Sequence, residues 1–306
     1  MGAAGHRGIL STMSSTTISV AGRDLSLTCH SGLRAGRGLP NSLEGIRDSL
    51  DAGVFRIEID VHSMADGDFL VSHASRLDES TTASGSVGRL TRDEALALQR
   101  KDDSNARPPL LSEVVALAEQ YASELQLDLK DWRPLTPERV RALVALMEPL
   151  GERAIVSSGQ DWNLRAIAGY TNSVRLGFDP DHYLAAESRR VPVPARLGAY
   201  AYRDDHPLAI GRSQPVDEYL RQRIDDLLSK CPNADEFFVE FRLLVQAADE
   251  GVSLPELLHD RGVAVSAWTL DYEGGKSIAT LKKLSSIGVD CVTTNTSQQF
   301  VEALTA

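Results

Sequence analysis

The stretch FRIEIDVHSMADGDFLVSH, residues 55–73, carries two carboxylates, Glu58 and Asp60, separated by a single residue. In an extended chain that spacing puts both on the same side. A buried strand has no structural use for two like charges on one face, because taking a carboxylate out of water is costly unless it is paired or ligates a metal. Two further runs supply partners. LSLTCH (25–30) ends on His30, and LQLDLK (125–130) places Asp128 and Lys130 at one parity. The dipeptide Asp66-Gly67 is a two-residue hairpin signal, which folds the chain back so that His73 is expected opposite Asp60. His62 is expected off that face, toward solvent. Three carboxylates, Glu58, Asp60 and Asp128, form a set of hard oxygen donors suited to one divalent cation, Mg²⁺ or Ca²⁺ with Mn²⁺ as a further candidate. Zinc fits less well, since no clustered Cys or His spacing accompanies them. Histidines flanking such an ion point to a general acid and base, with the ion and Lys130 countering charge on a phosphoryl oxygen.

These residues need strand ends to hold them. Apolar, β-branched-rich runs recur at 25–30, 54–61, 125–130, 153–159, 173–178, 236–241, 263–270 and 290–295. Helix-period stretches lie between most of them, at 42–53, 110–122, 136–151 and 276–288. Ser42 and Thr136-Pro137 are start signals, and Gly53, Gly151 and Gly288 are stop signals. Strand followed by helix, repeated in this way, predicts a single-domain (β/α)8 TIM barrel over 23–306 with a β-hairpin extension after the second strand. The active site of such a barrel lies at the carboxyl ends of its strands, where Glu240 and Trp268 also fall as substrate-side candidates. The region 180–235 is the least regular and is expected to be a long loop with some helix. Residues 1–22 read as a leader outside the domain.

Composition narrows the partners. The chain has 306 residues, 42% hydrophobic and 25% charged, with a net charge of -11. That balance, without a basic run, offers no general attraction for nucleic acid or an anionic membrane. Any anionic substrate must be drawn by a local feature, so a small-molecule phosphodiester is the expected partner. The sequence holds no apolar run of about eighteen residues, so no transmembrane segment is expected, and a cytoplasmic location follows. Cys29, Cys231 and Cys291 have no metal-like spacing and are expected to be reduced thiols of the core.

The ordered set of motifs resembles the glycerophosphodiester phosphodiesterases, metal-dependent (β/α)8-barrel enzymes. In residues 29–94 these are His30-Ser31-Gly32, Asn41-Ser42-Leu43, Glu58-Ile59-Asp60, Asp66-Gly67, His73-Ala74, Leu77-Asp78-Glu79-Ser80-Thr81-Thr82, Gly85 and Leu90-Thr91. LDLK (127–130), AWTL (267–270) and GVDCVTTN (288–295) extend the likeness over nearly the whole chain after residue 24. The resemblance implies that His30 and His73 are the acid/base pair and that Glu58, Asp60 and Asp128 hold the metal. It also implies that Lys130 meets the phosphate and that the substrate's neighbouring hydroxyl attacks phosphorus to give a cyclic phosphate. Ser31 stands where the family carries a phosphate-contacting arginine; Arg34 and Arg37 are the candidates to replace it, although a loop arginine is more often solvated. Asn41 falls at the family's asparagine, although Pro40 stands where the family has glutamate. Ala74, Glu79 and Asp128 differ from the family's aspartate, arginine and glutamate. Two other readings share these residues: a sphingomyelinase D-like phospholipase forming a cyclic phosphate, and an inactive barrel serving as a binding module.

Overall fold

The computed structural model describes residues 15–186, 200–201 and 214–305. Its strands are β1 (Thr17–Val20), β2 (Arg23–Cys29), β3 (Arg56–Ser63), β4 (Phe69–Val71), β5 (Glu124–Leu129), β6 (Ala154–Ser158), β7 (Arg175–Phe178), β8 (Leu184–Ala185), β9 (Tyr200–Ala201), β10 (Glu236–Glu240), β11 (Ala264–Trp268) and β12 (Cys291–Thr294). Going round the sheet, β2, β3, β5, β6, β7, β10, β11 and β12 pair in parallel, and β12 returns to β2. The sheet therefore closes into the predicted barrel, and helices connect most successive strands.

Strand alternation explains which residues go where. Ile57, Ile59, Val61, Leu125, Leu127, Leu129, Val156, Phe237, Val239 and Val265 are all buried in the main core cluster, with helix residues such as Ile46, Leu50, Val114, Leu143, Leu164 and Leu220. They face outward onto the helices. The other parity turns into the barrel and is polar: Arg56, Glu58 and Asp60 lie in register with Glu124, Gln126 and Asp128. Gly177 makes room for the ring of Phe238 inside the barrel. A Cβ there would lie 2.2 Å from Cε2 of Phe238.

The helix signals hold. Ser42 Oγ accepts from the Gly45 amide ahead of the helix Leu43–Asp51, and Thr136 with Pro137 opens the helix Pro137–Met147. Gly53, Gly151 and Gly288 all take positive φ past helix ends.

Two expectations are corrected. The hairpin pairs Val61 with Val71, His62 with Leu70 and Ser63 with Phe69, one residue out of the expected register. Only Gly67 takes positive φ, +92°, whereas a two-residue type I′ turn would require it of Asp66 as well. The loop is instead Ala65-Asp66-Gly67, closed by the Met64 amide donating to the Asp68 carbonyl at 3.0 Å. Asp60 therefore stands opposite Ser72, whose amide donates to the Asp60 carbonyl at 2.9 Å, and not opposite His73. Part of the span expected as a leader, 1–22, is instead a strand of the sheet. Residues 1–14 lie outside the described residues, but Thr17–Val20 pairs antiparallel with β2 and buries Ile18 and Val20, the period-2 pattern of a strand.

In the region 180–235, the described residues hold the β8–β9 pair and the helix Val216–Lys230. The rest of the expected loop, 187–199 and 202–213, lies outside the described residues.

Candidate active site

Glu58 and Asp60 are 3% and 1% exposed, and together with half-buried Asp128 each offers one oxygen such that all these atoms lie within 4.8 Å of one another. The backbone holds this cluster tightly. The Ser31 amide donates to Glu58 Oε2 at 2.9 Å. Asn41 Nδ2 donates to Asp60 Oδ2 at 2.8 Å, while its Oδ1 accepts from the Asp60 amide at 3.1 Å. Ser31 and Asn41 both sit at positive φ, 51° and 54°, an uncommon conformation for residues with a Cβ that clusters at working sites. Asp60 Oδ1 is buried and has no hydrogen bond among the described residues, its one contact being the ion pair with Lys130 Nζ at 3.1 Å. Lys130 also pairs with Asp128. Three carboxylates against one ammonium leave an excess of negative charge in a buried place. That excess, the Asp60 oxygen left without a hydrogen bond and the all-oxygen donor set fit a hard divalent cation.

The electrostatics follow from this crowding. Burial, reinforced by Asp60, pushes the Glu58 carboxyl up to about 7. Burial works against charge on Asp60 too, but Lys130 and the Asn41 amide outweigh it and hold that carboxyl below its ordinary value. Lys130 loses hydration by burial, yet Asp128, Asp60 and Glu58 keep it firmly charged.

His30 Nε2 lies 3.9 Å from Glu58 Oε2. Its other nitrogen is fixed by a chain of partners. Asn295 Nδ2 donates to Asp271 Oδ2 at 2.9 Å, which turns Asn295 Oδ1 toward His30 Nδ1, 2.9 Å away. A carboxylate cannot donate, so the amide orientation is set, and His30 must carry its proton on Nδ1 when neutral. Nε2 is then the nitrogen free to exchange a proton with a ligand. Burial disfavours the imidazolium, but Glu58, Asn295 and Asp60 outweigh it and lift His30 above the ordinary histidine value.

A cleft of about 420 Å³ opens here, lined by His30, Glu58, His73, Asp128, Lys130 and Trp268 among the predicted residues. His73 is exposed on the wall formed after β4. Trp268 is held by its indole N–H donating to the Phe238 carbonyl at 3.0 Å. Six candidates fall outside the lining: Asp60 and Asn41, which lie buried behind it and bond to each other, and Ser31, Glu240, Arg34 and Arg37. Ser31 turns its backbone to Glu58 and buries its side chain. Glu240 accepts from Arg242 Nη1 at 2.7 Å. Arg34 is engaged by Asp48 at 2.7 Å and Gln298 at 2.9 Å, and Arg37 is exposed away from the cleft. Neither arginine lines the cleft: the segment after residues 30–32 runs along the helix Leu43–Asp51 and the helix Ser297–Thr305, where the Gln298 amide donates to the Arg34 carbonyl at 2.9 Å.

His62 corrects a third expectation. The alternation that joins Glu58 to Asp60 continues to His62, which is 5% exposed, lines the cleft and donates from Nε2 to the His73 carbonyl at 3.3 Å. Strand parity is the signal that finds it. Gln126 and Ser157 follow from parity with Asp128 and from the next strand. Asn295 and Asp271 leave no such trace, since their role depends on a contact with His30 more than two hundred residues away in sequence. Asp179, His182 and Trp132 also line the cleft, with the Trp132 and His182 rings 5.1 Å apart.

A closed (β/α)8 barrel with a carboxylate cluster and flanking histidines at the carboxyl ends of its strands defines a barrel hydrolase equipped for a hard cation. Residues 30–299 match the glycerophosphoryl diester phosphodiesterase family, and the chain belongs to that family of phosphoric diester hydrolases. No curated protein matches the chain. Among solved structures it is similar to an Oleispira antarctica phosphodiesterase in complex with the product sn-glycerol-3-phosphate, at 17% identity and TM-score 0.63, covering 92% of this chain and 97% of that one. A glycerophosphodiester phosphodiesterase from Parabacteroides distasonis gives 17% and 0.61, covering 92% and 98%. One from Thermotoga maritima gives 16% and 0.59, covering 91% and 98%. At these identities the likeness concerns the fold. No helix among the described residues is long and apolar enough to cross a membrane.

Proposed function

We propose that the protein is a metal-dependent phosphodiesterase that cleaves glycerophosphodiesters, the deacylated phospholipids, in the cytoplasm to an alcohol and glycerol phosphate. The observation that carries this reading is the meeting of three carboxylate oxygens within 4.8 Å beside His30 Nε2. Glu58, Asp60 and Asp128 are the residues that hold the ion. When bound, Mg²⁺, Ca²⁺ or Mn²⁺ supplies Lewis-acid stabilisation of charge on the phosphoryl oxygens. Lys130 adds a fixed positive charge to the same region. His30, just past β2, and His73, just past β4, both line the cleft and divide the proton transfers. One accepts the proton of the substrate's neighbouring hydroxyl as its oxygen bonds to phosphorus, and the other protonates the departing alcohol oxygen as its bond breaks. Water then opens the cyclic phosphate with the two roles reversed. Asn41 and Asn295 hold Asp60 and His30 in place.

Turnover of glycerophosphocholine and glycerophosphoethanolamine tests this. Activity should disappear on exhaustive chelation and return with Mg²⁺, Ca²⁺ or Mn²⁺, and Glu58→Gln should weaken metal binding while the fold persists. Full activity without metal would overturn the metal role.

A further inference from the structure

A second cleft, of about 770 Å³, lies beside the active-site cleft, toward the insertion between β3 and β5. It shares His62, Ser75, Lys130 and Trp132 with the active-site cleft, so the two are continuous. Four arginines line it. Arg76 and Arg89 come from the wall that follows β4, while Arg133 and Arg139 come from the loop and helix that follow β5. Arg76 pairs with Asp78 at 2.8 Å with both side chains largely in water, and Arg139 donates to the Gly88 carbonyl at 3.2 Å. The guanidinium groups of Arg89 and Arg133 have no hydrogen bond or ion pair among the described residues.

The two carboxylates of this cleft are already engaged. Asp131 accepts from the Ser63 amide at 2.8 Å and from Ser63 Oγ, and Glu94 accepts from the amide and hydroxyl of Thr91 at 2.9 Å. In a chain of net charge -11, a cleft whose arginines outnumber its carboxylates, and in which Arg89 and Arg133 have no ion pair among the described residues, is a local feature that draws an anion. Guanidinium forks match phosphate oxygens, and a phosphate monoester brings close to two negative charges, enough to engage groups from both walls. The arginines stand apart from the residues that hold the reacting phosphodiester, so the anion they fit is a second one on the same molecule.

We propose that this cleft binds a phosphate monoester carried by the alcohol part of the substrate, so that the preferred substrates are glycerophosphodiesters with a second, terminal phosphate. This rests on the phosphodiesterase reading above and names its substrate class. The test compares glycerophosphoglycerol with its terminal phosphate ester at matched metal concentration. The wild type should favour the phosphorylated diester in kcat/KM by about tenfold, mostly through KM and less at high salt. In the double variant Arg89→Gln/Arg133→Gln, whose two side chains are exposed, the ratio should fall to about one. Equal kcat/KM values in the wild type, or a preference that survives both substitutions, would overturn the proposal. If neither diester is cleaved, the phosphodiesterase reading fails, and equilibrium binding of the phosphorylated diester still decides the cleft. Affinity about tenfold weaker in the double variant supports it, and equal affinity overturns it.

Discussion

His30 and His73 are the residues on which the proposed chemistry turns. Each alanine substitution should lower kcat by about two to four orders of magnitude, the usual contribution of a general acid or base, with a much smaller change in KM. The double variant should be little slower than the worse single one, because losing either member already breaks the relay. Steady-state kinetics on glycerophosphocholine decide this, and two wild-type rates would remove both histidines from the mechanism. Asn41→Ala should weaken metal affinity about 10- to 100-fold in a calorimetric titration, since it removes two bonds that orient Asp60. At this scale the carboxylate cluster was legible because a carboxylate repeated on alternate positions of an apolar strand is too costly to bury unless it is paired or binds a cation. His62 was legible by the same parity and was misplaced. The Asp271–Asn295–His30 chain was not, because hydrogen-bond partners brought together by barrel closure share no spacing in the sequence.

Elements carry the next level of information. Strands and helices could be read from period, caps and glycine stops, but the hairpin register depended on which of two turn residues takes positive φ. That choice is made by the loop's packing and not by the Asp-Gly dipeptide alone. Two glycines separate conformational from steric need. Gly67 sits at φ +92° with its nearest neighbour 3.8 Å from a Cβ, so Gly67→Ala should cost about 1 kcal/mol from backbone strain alone. Gly177 has an ordinary φ but lies against the Phe238 ring inside the barrel. Gly177→Ala should therefore cost about 1–3 kcal/mol or more as overpacking, the larger of the two effects. Urea midpoints at unchanged slope give both numbers. The opposite order would mean that the barrel interior yields more easily than this packing implies.

Across the whole molecule the polar interior divides into two ends. The carboxyl ends of the strands hold the carboxylates, histidines and cleft, while the amino ends hold an ion network. There, Arg56 binds Glu236 through two bonds at 2.7 and 2.9 Å and Glu124 at 2.8 Å, and Arg175 reaches Glu124 at 2.6 Å. Charge at the amino ends, away from the mouth, reads as stability rather than chemistry. Burial favours the neutral form of Glu236, but Arg56 and Ser266 outweigh it and hold the carboxyl below its ordinary value of 4.5. A carboxyl lowered on folding stabilises fully above its unfolded value, and that stabilisation fades as pH falls through the folded value. Glu236→Gln should thus cost about 3 kcal/mol near pH 7, at the low end for a broken buried pair because Glu124 still faces Arg56. The stability gap between wild type and variant should narrow as pH drops below 4.5. Thermal unfolding at several pH values measures the gap, while kcat per folded molecule at neutral pH should stay at the wild-type level. A pH-independent gap would show that Arg56 does not depend on the charge of Glu236. A fall in kcat with the fold intact would show that the two ends of the barrel are coupled.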